Sequence, residues 1–315
     1  MSLERALELA ERGRGGTHPN PIVGCVLVRL DSVVGEAWHE QAGDAHAEVL
    51  ALRQAGARAR GATAYVTMEP CNHHGRTPPC TDALLEAGVA SVLVGCRDPN
   101  PKAGGGLERL SAGGVEVAIE AGELAFRCRQ QNEAWRRWVT LRRPFVILKL
   151  ALTFDGRVTR QDRRWVTGEE SRRRVHELRA QVDAVAVGMG TVLADDPQLT
   201  VRDAAATRQP RRLAFGRPPL PEGSGLELRT GALADELHAL AAEGVQSLLL
   251  EGGPRIAEEF LRTDVVDKLL LFVAPTIAGA GPAFTPDLDL AVELEHLSVE
   301  RLGEDVLLSG YIHAP

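Results

Sequence analysis

The sequence predicts an α/β protein with two domains, each built from alternating strands and helices. The chain has 315 residues, which is long for a single hydrophobic core. Short apolar runs that favour strands alternate with segments whose apolar residues recur at helical spacing. The run Arg142, Arg143 and Pro144 interrupts this alternation. We therefore expect a first domain over residues 1–143 and a second domain over residues 144–315.

The first predicted domain opens with an amphipathic helix, because Leu3, Ala6, Leu7 and Ala10 follow helical spacing up to Gly13. Strands and helices then alternate, which favours a sandwich with helices on both faces of one sheet. The predicted strands are 22–28, a partner strand ending at 38, 64–67, 91–94 and 115–119, and the predicted helices are 46–59, one that begins at 80, 107–112 and 123–140.

The second predicted domain opens with a continuous apolar strand over residues 145–152. Residues 217–231 are rich in proline and glycine and are predicted to form a loop. The other predicted strands are 183–187, 211–215, 246–250, 267–273 and 306–312, and the predicted helices are 169–180, 190–194, 232–243 and 254–262.

The composition argues against several classes of protein. A net charge of −7 disfavours a general nucleic-acid binder. No apolar run reaches transmembrane length, and the N-terminal segment lacks the apolar core of a signal peptide. The five cysteines form no even disulfide framework, and a reducing compartment suits a thiolate metal site. We therefore expect a cytoplasmic protein with neither a membrane nor a nucleic-acid partner.

The stretch from His46 to Cys80 carries the residues of a catalytic zinc site. His46, Cys71 and Cys80 offer one imidazole and two thiolates, and a catalytic zinc ion keeps its fourth position open for water. Bound zinc lowers the pKa of that water to about 7. Glu48 follows the histidine by two residues and is suited to carry protons beside the open position. The order H-x-E, P-C and C is that of zinc deaminases, so we predict hydrolytic deamination.

Two other interpretations of these residues stay open at this point. His73 or His74 lies between the two cysteines and is a candidate fourth ligand, which would make the zinc structural. The cysteines are alternatively buried or free thiols without a metal. The loop from 72 to 79 is longer than the two residues of the usual C-x-x-C spacing.

The first 140 or so residues contain the segments HPNPIVGCVLV, HAEVLAL, TMEPCNHHGRTPPC and DPNP. With these segments this part of the chain is similar to the pyrimidine deaminase of riboflavin biosynthesis, and the HHGRTPP insertion between the cysteines is the most specific mark of the similarity. The later segments KLALTFDGR, RWVTG, TVLADDPQLTVR, LLLEGGPRIAEEFL and VDKLLLFVAPTIAGAG resemble the reductase that accompanies this deaminase. The resemblance implies a cytidine-deaminase-like first domain and a dihydrofolate-reductase-like second domain.

The resemblance also implies two reactions. The first is zinc-dependent removal of a ring amino group from a diaminopyrimidinone that carries a phosphoribosylamino group. The second is NADPH-dependent reduction of the ribosyl side chain to ribityl, so the cofactors would be Zn²⁺ and NADPH. By the same resemblance, His46, Cys71 and Cys80 bind zinc and Glu48 is the catalytic proton carrier. Asn20 and His74 would bind the deaminase substrate, with Arg76 as a further candidate.

In the second domain the resemblance implies separate cofactor and substrate contacts. Lys149 would lie near the reacting sugar, although a strand lysine that faces solvent is the alternative. The implied NADPH contacts are Ala151, Trp165, Thr191, Asp195, Gly253, Pro254, Arg255, Ile256, Ala257, Glu258 and Glu259, and the implied substrate contacts are Arg179, Leu199, Arg202 and Glu251. Two arginines that converge on one phosphate would suit bidentate pairing.

The sequence departs from the family pattern at two places in the second domain. A small Ser/Gly-rich turn is replaced by the charged segment 160–164. The family strand that ends in Val-Leu-Asp-Ser ends here in Gly216 and Arg217, without the acid and the small hydroxyl that approach the cofactor. We expect a working reductase and self-association of the chain. The alternatives are a nucleoside or tRNA-type deaminase and a non-enzymatic, structural-zinc nucleotide-binding module.

Overall fold

A computed structural model describes residues 2–75, 78–206, 208–217, 219–285 and 287–315. The chain forms two compact units, the first ending at Leu141 and the second spanning Arg142–Ala314. Within the described residues, no helix combines the length and the apolar character needed to cross a membrane.

The first unit is built on a mixed sheet of five strands in the order β2-β1-β3-β4-β5. Strand β1 runs antiparallel to both β2 and β3, and β3, β4 and β5 run parallel to one another. Parallel neighbours need a crossover connection, which here is helical each time. The strands are β1 Gly24–Arg29, β2 Ser32–Trp38, β3 Thr63–Val66, β4 Ser91–Val94 and β5 Glu116–Ile119.

Helices cover both faces of this sheet, as the sequence predicts. One apolar core contains Ala47, Ala51 and Leu84, and a second contains Leu3, Leu9 and Trp135. The helices are α1 Ser2–Glu11, α2 Ala47–Ala55 with the 3₁₀ turn Gly56–Ala59, α3 Cys80–Ala87, α4 Gly106–Ala112, α5 Gly122–Gln130 and α6 Glu133–Leu141.

The single helix predicted over 123–140 is wrong, since α5 and α6 are separate helices. Asn132 lies in the break, where its side chain is buried. Its amide oxygen accepts a hydrogen bond from the Ile22 N–H at 2.9 Å, and its amide nitrogen donates to the Ile22 carbonyl at 2.8 Å. This contact joins residues that are 110 positions apart, so local periodicity gives no sign of it.

The second unit contains an eight-stranded sheet in the order β12-β13-β11-β6-β10-β7-β8-β9. In this spatial order, each strand from β11 to β9 runs parallel to the next one. Strand β13 is antiparallel to both β11 and β12. The strands are β6 Phe145–Thr153, β7 Ala184–Gly188, β8 Arg211–Phe215, β9 Glu227–Arg229, β10 Ser247–Leu250, β11 Lys268–Ala274, β12 Glu295–Leu302 and β13 Asp305–Tyr311.

The described residues of this unit include four helices, of which α9 and α10 contribute to its main apolar core. Leu237, Leu240 and Phe260 are fully buried against the central strands. The helices are α7 Glu169–Gln181, α8 Met189–Asp195, α9 Leu233–Ala242 and α10 Pro254–Arg262.

Two strands of this sheet differ from the sequence prediction. Strand β9 lies inside the segment predicted as a loop. It has only three residues, and two of them are charged and form ion pairs, as Arg229 does with Glu243. Strand β12 has no predicted counterpart because all but its last residue are exposed, so it lacks the alternation that marks a half-buried strand.

Candidate active sites

His46 is placed at the metal cluster by the start of helix α2. It is the N-cap residue, with an extended backbone (φ −71°, ψ 162°), and Glu48 lies in the first turn of the helix. Residues two apart on a helix point in different directions, but the extended backbone of His46 lets both side chains reach the same cavity. Glu48 is buried, with 3% of its surface exposed.

The two cysteines come from the loop after β3 and from the start of helix α3. Cys80 is the first residue of α3, and its backbone N–H donates a hydrogen bond to the Cys71 sulfur at 3.4 Å. Free N–H groups in the first turn of a helix favour negative charge on a nearby sulfur. Cys71 therefore contacts the first residue of α3.

The geometry of the cluster fits a tetrahedral zinc ion. The Nδ1 atom of His46 lies 3.2 Å from the Cys80 sulfur and 3.5 Å from the Cys71 sulfur. Zinc–nitrogen and zinc–sulfur bonds of ordinary length at tetrahedral angles would separate such ligand atoms by about 3.6 Å. Within the described part of the chain, these three residues form the only such group, with ligand atoms within 4.8 Å of one another. A fourth coordination position thus stays open.

The pKa shifts of Cys71 and Glu48 suit metal binding and proton transfer. A hydrogen bond from the Cys80 thiol lowers the pKa of Cys71 to about 4; burial opposes this shift, and the bond with His46 reinforces it. Burial raises the pKa of Glu48, although the nearby His46 opposes the shift. Cys71 is thus a thiolate at neutral pH, and Glu48 holds a proton more readily than an exposed carboxylate does.

The cluster opens into a cavity of about 430 Å³. Asn20, predicted as a substrate contact, lies in its wall together with His46, Glu48 and Cys71. The wall also includes residues to which the sequence interpretation gave no role: His39, Glu69, Asp98, Trp135 and Trp138.

The side chain of Asn20 contacts the ring of His39. The Asn20 amide nitrogen lies 3.5 Å from Nε2 of His39, whose Nδ1 lies 3.4 Å from the Ala45 carbonyl. The ring of His39 also packs edge-on against that of His46, with centroids 5.1 Å apart. No motif analysed in the sequence includes His39, whereas Asp98 lies in the quoted DPNP segment and Glu69 in TMEPC.

His73, rather than His74, lines the cavity in the described structure. His74 is exposed, and Arg76 lies outside the described residues. Neither histidine belongs to the three-membered metal cluster, so the geometry gives no support to a closed, four-ligand structural zinc site.

In the second unit, two of the predicted cofactor residues, Gly253 and Thr191, lie close together after the carboxyl ends of the parallel strands β10 and β7. Gly253 is the N-cap of α10, and a Cβ atom on it would lie 3.7 Å from Thr191 Oγ1 on α8. Gly252 and Gly188 both pack against Ile256 with no room for a side chain at Gly252. Ala257 and Glu258 are buried on the core side of α10, so Pro254, Arg255, Ile256 and Glu259 are the more accessible members of the predicted run.

Glu251, which directly follows β10, is the centre of a buried charge cluster that connects this strand end with strand β6 and helix α7. Its carboxylate accepts hydrogen bonds from Nε and Nη2 of Arg179 at 2.6 and 3.0 Å, and it lies 3.5 Å from the Lys149 ammonium. Burial would raise the pKa of Glu251, but Lys149 and Arg179 lower it below its usual value. The solvent-facing alternative for Lys149 is wrong, since only 16% of its side chain is exposed.

The two arginines predicted to share one phosphate have different surroundings. Arg179 is held by Glu251 and donates to the Thr200 carbonyl, whereas Arg202 is exposed and bonds to Gln198. Leu199, also a predicted substrate contact, is buried with a left-handed backbone (φ 54°). No described contact brings the Arg179 and Arg202 guanidinium groups together.

Trp165 is half exposed and lies between two cationic side chains. The guanidinium groups of Arg164 and Arg172 lie 5.0 and 5.6 Å from its ring centre. The charged segment that replaces the family's small turn is fixed by Arg160, which pairs with Asp162 and donates to Thr276. Asp195 is exposed at the end of α8.

Known protein families match both halves of the chain. Residues 2–96 match the cytidine and deoxycytidylate deaminase zinc-binding region, and residues 144–308 match the RibD C-terminal domain. The riboflavin biosynthesis protein RibD of Aquifex aeolicus is 38% identical over 97% of this chain and 96% of its own length. The RibD protein of Escherichia coli is 37% identical, with 97% of both chains covered.

A solved structure from Thermotoga maritima is similar over the whole chain. It is described as a diaminohydroxyphosphoribosylaminopyrimidine deaminase/5-amino-6-(5-phosphoribosylamino)uracil reductase. The TM-score is 0.83 at 34% identity, with 98% of this chain and 97% of the other covered.

The fold and the sites define a zinc-dependent deaminase joined in one chain to an NADP-dependent reductase. The predicted cytidine-deaminase-like and dihydrofolate-reductase-like folds are confirmed by these matches. The chain belongs to the RibD family of riboflavin biosynthesis proteins. The predictions of a bifunctional enzyme and of zinc and NADPH as its cofactors are confirmed with it.

Proposed function

We propose that the first unit deaminates a diaminopyrimidinone that carries a phosphoribosylamino group, and that the second unit reduces the ribosyl side chain of the product. The observation that carries the first half is the shared cavity of Asn20, Glu48 and the metal cluster. We assign the deaminase to residues 1–143 and the reductase to residues 144–315.

His46, Cys71 and Cys80 are the zinc ligands in this proposal, and their spacing and charge support it. When bound, zinc supplies a water molecule that is activated at neutral pH. Asn20, held by His39, orients the pyrimidine edge. His74 and Arg76, which lie between the two cysteines in the sequence, are assigned to the substrate phosphate or ring edge.

Glu48 carries the protons of the deamination. The water oxygen bonds to the ring carbon that bears the amino group, and Glu48 accepts the proton that the water loses. Glu48 then donates this proton to the amino nitrogen, the carbon–nitrogen bond breaks, and ammonia leaves. Its burial favours both roles, because a raised pKa makes the carboxylate a stronger base and brings the pKa of the carboxyl closer to neutral pH.

In the second unit, hydride addition to the open-chain ribosyl carbonyl carbon gives the ribityl alcohol. NADPH supplies the hydride, and the protein orients it. In this proposal the sugar oxygen takes its proton from water, and Lys149, buried beside Glu251, hydrogen-bonds that oxygen. The assigned NADPH contacts are Ala151, Trp165, Thr191, Asp195 and the run 253–259, and the assigned substrate contacts are Arg179, Leu199, Arg202 and Glu251.

The partners in this proposal are small molecules, with no nucleic acid, in the cytoplasm. The cysteine cluster supports a reducing compartment, because thiolate ligands must stay unoxidised to bind metal. Self-association is supported by the edge strand β12, where Leu297 and Val299 are mostly exposed. Light scattering of the purified chain measures the number of subunits directly.

Incubation with the diaminopyrimidine substrate, with and without NADPH, tests both halves. Without NADPH, the product mass should show one amino group replaced by oxygen. With NADPH, the product should gain two further hydrogen atoms. Deamination without reduction would contradict the proposal for the second unit, and an unchanged substrate would contradict the proposal for the first.

A further inference from the structure

His176 is a buried histidine of helix α7, and both nitrogens of its ring face the segment 198–203. This segment lies shortly after helix α8 and belongs to no helix or strand. It contains two of the assigned substrate contacts, Leu199 and Arg202. The sequence motifs and the proposed reaction leave the histidine itself without a role.

Side chains from outside the segment 198–203 hold its backbone. Arg179 of α7 donates a hydrogen bond to the Thr200 carbonyl at 3.1 Å. The side-chain amide of Gln209 accepts a hydrogen bond from the Val201 N–H at 2.8 Å and donates one to the Val201 carbonyl at 3.1 Å. The position of this backbone therefore depends on particular side chains, because it is not part of a sheet.

His176 holds the next residue of the segment, Arg202. The Arg202 N–H donates a hydrogen bond to Nδ1 of His176 at 3.3 Å. A ring nitrogen that accepts a hydrogen bond carries no proton, so the neutral ring has its proton on Nε2. Nε2 lies 3.4 Å from a carboxylate oxygen of Asp203, which is an acceptor. Both contacts thus agree with a single tautomer of an uncharged ring.

Protonation of the His176 ring would break its contact with the Arg202 N–H, because both nitrogens of an imidazolium ion are donors. Four charged groups among the described residues act on the ring: Arg179 on α7, Arg202 and Asp203 on the segment, and Glu251 after β10. Burial and the charge of Arg179 lower the pKa of His176 below its usual value of 6.5, and Arg202 acts in the same direction, whereas Asp203 and Glu251 oppose the shift. The ring is therefore neutral at pH 7 and gains its charge in acid.

We propose that uncharged His176 is a positioning residue of the reductase, which holds the backbone of Arg202 where the guanidinium group of that residue meets the phosphoribosyl substrate. The inference rests on the substrate contacts assigned in the proposed function. The side chain of Arg202 is long and exposed, so the place of its guanidinium group depends on how firmly its backbone is held. A backbone that is fixed before the substrate arrives lowers the ordering cost of binding. Leu199, which is buried, fixes the other end of the segment.

Steady-state kinetics of the full chain with the deaminated pyrimidine and NADPH, from about pH 5 to 8, tests this role. In the unaltered protein, the KM for the pyrimidine should rise as the pH falls and His176 gains its proton. His176→Phe keeps a ring but removes the acceptor. It should raise this KM about 2- to 10-fold at pH 8, the range of one neutral hydrogen bond, and should change kcat less.

His176→Asn separates the hydrogen bond from the titration. The amide oxygen of asparagine is as many bonds from the backbone as Nδ1 of histidine, and it accepts a hydrogen bond without gaining a proton. The KM of this variant should stay near that of the unaltered protein at pH 8 and should rise less in acid. The substrate phosphate titrates near about pH 6 as well, so the rise that the two proteins share belongs to the substrate.

A second histidine of the same unit supplies the matched control. His238 is exposed on α9, and His238→Phe should change neither the KM nor its dependence on pH. Ammonia release by the first unit should be the same in all variants. Hydrogen exchange, followed by mass spectrometry without substrate, should be faster at 198–203 in His176→Phe than in the unaltered protein and in His238→Phe. This measurement reports the hold on the segment independently of catalysis.

Three results would each overturn the inference: a His176→Phe variant with the KM of the unaltered protein, equal hydrogen exchange at 198–203 in these two proteins, or a His176→Asn variant whose KM rises in acid as steeply as that of the unaltered protein. Failure of the proposed function is distinct from these, because the unaltered chain would then not oxidise NADPH with the deaminated pyrimidine, and the inference would fail with it. If His176→Phe does not fold, the pH profile of His176→Asn still decides.

Discussion

The carboxylate of Glu251 accepts two hydrogen bonds from Arg179, at 2.6 and 3.0 Å, and lies beside Lys149. One negative charge thus stands between two positive charges at the end of the β10 strand. Both cations are oriented by the same carboxylate. The cluster therefore carries one net positive charge and is held in place by these contacts.

Replacing this carboxylate with an amide should impair the reductase. Glu251→Gln keeps the size of the side chain but leaves both cations without their counter-charge, and it weakens bonds worth about 1.5–3 kcal/mol each. We expect NADPH oxidation with the deaminated pyrimidine to fall at least tenfold, while ammonia release from the first unit is unchanged. Glu300→Gln, at an exposed site on β12, should change neither rate. Reductase activity equal to that of the unaltered protein would contradict this role.

The same cluster predicts a loss of stability in acid. Lys149 and Arg179 hold the pKa of Glu251 below its usual value of 4.5 despite its burial. A carboxyl with a lowered pKa stabilises the fold above its unfolded-state pKa and loses that contribution as the pH falls through the folded-state value. The second unit should therefore lose stability below pH 4.5, and the loss should be smaller in Glu251→Gln. Urea unfolding at a series of pH values measures both, and parallel curves for the two proteins would contradict the prediction.

Deamination should depend on Glu48 far more than zinc binding does. Glu48→Gln removes the proton carrier but none of the three metal ligands. We expect ammonia release to fall by about 10²–10⁴, the usual contribution of a positioned acid–base group. Metal analysis should find an unchanged zinc content, and Glu40→Gln, an exposed neighbour, should keep full activity. Loss of zinc together with activity would instead indicate a structural role.

Local sequence signals predicted most elements and the metal cluster. The histidine and two cysteines could be found because metal chemistry restricts both residue type and order. Apolar runs gave the central strands, such as β7 and β10, because both faces of those strands are buried. The start of α10 followed from Pro254 after two glycines.

The features that sequence did not predict depend on distant contacts. The break between α5 and α6 is set by Asn132 and Ile22, which are far apart in the chain. His39 belongs to the cavity wall because the fold brings it against Asn20 and His46. Strand β9 is held by ion pairs of Arg211 and Arg229 with acidic residues, which no hydrophobic periodicity reports.

Zinc binding should require Cys80 but not Cys128, a cysteine outside the metal cluster. Cys80→Ala removes one of three ligands, so the purified protein should hold much less than about one zinc ion per chain. The first unit should also unfold at a lower temperature, because bound metal stabilises the folded state. Cys128→Ala changes a buried cysteine in the core that includes Leu3 and should keep its zinc. Equal zinc content in the two variants would contradict the assignment.

Asn132 should stabilise the first unit through its two bonds to Ile22. Asn132→Ala leaves a buried N–H and a buried carbonyl without partners, at a cost of about 1–3 kcal/mol each. Because Ile22 lies two residues after Asn20, release of this segment should also loosen the cavity wall and raise the KM of the deaminase more than it lowers kcat. Gln41→Ala, at an exposed site of the same unit, should change neither stability nor KM. If Asn132→Ala unfolds at the same urea concentration as Gln41→Ala, the contact is not what holds this segment in place.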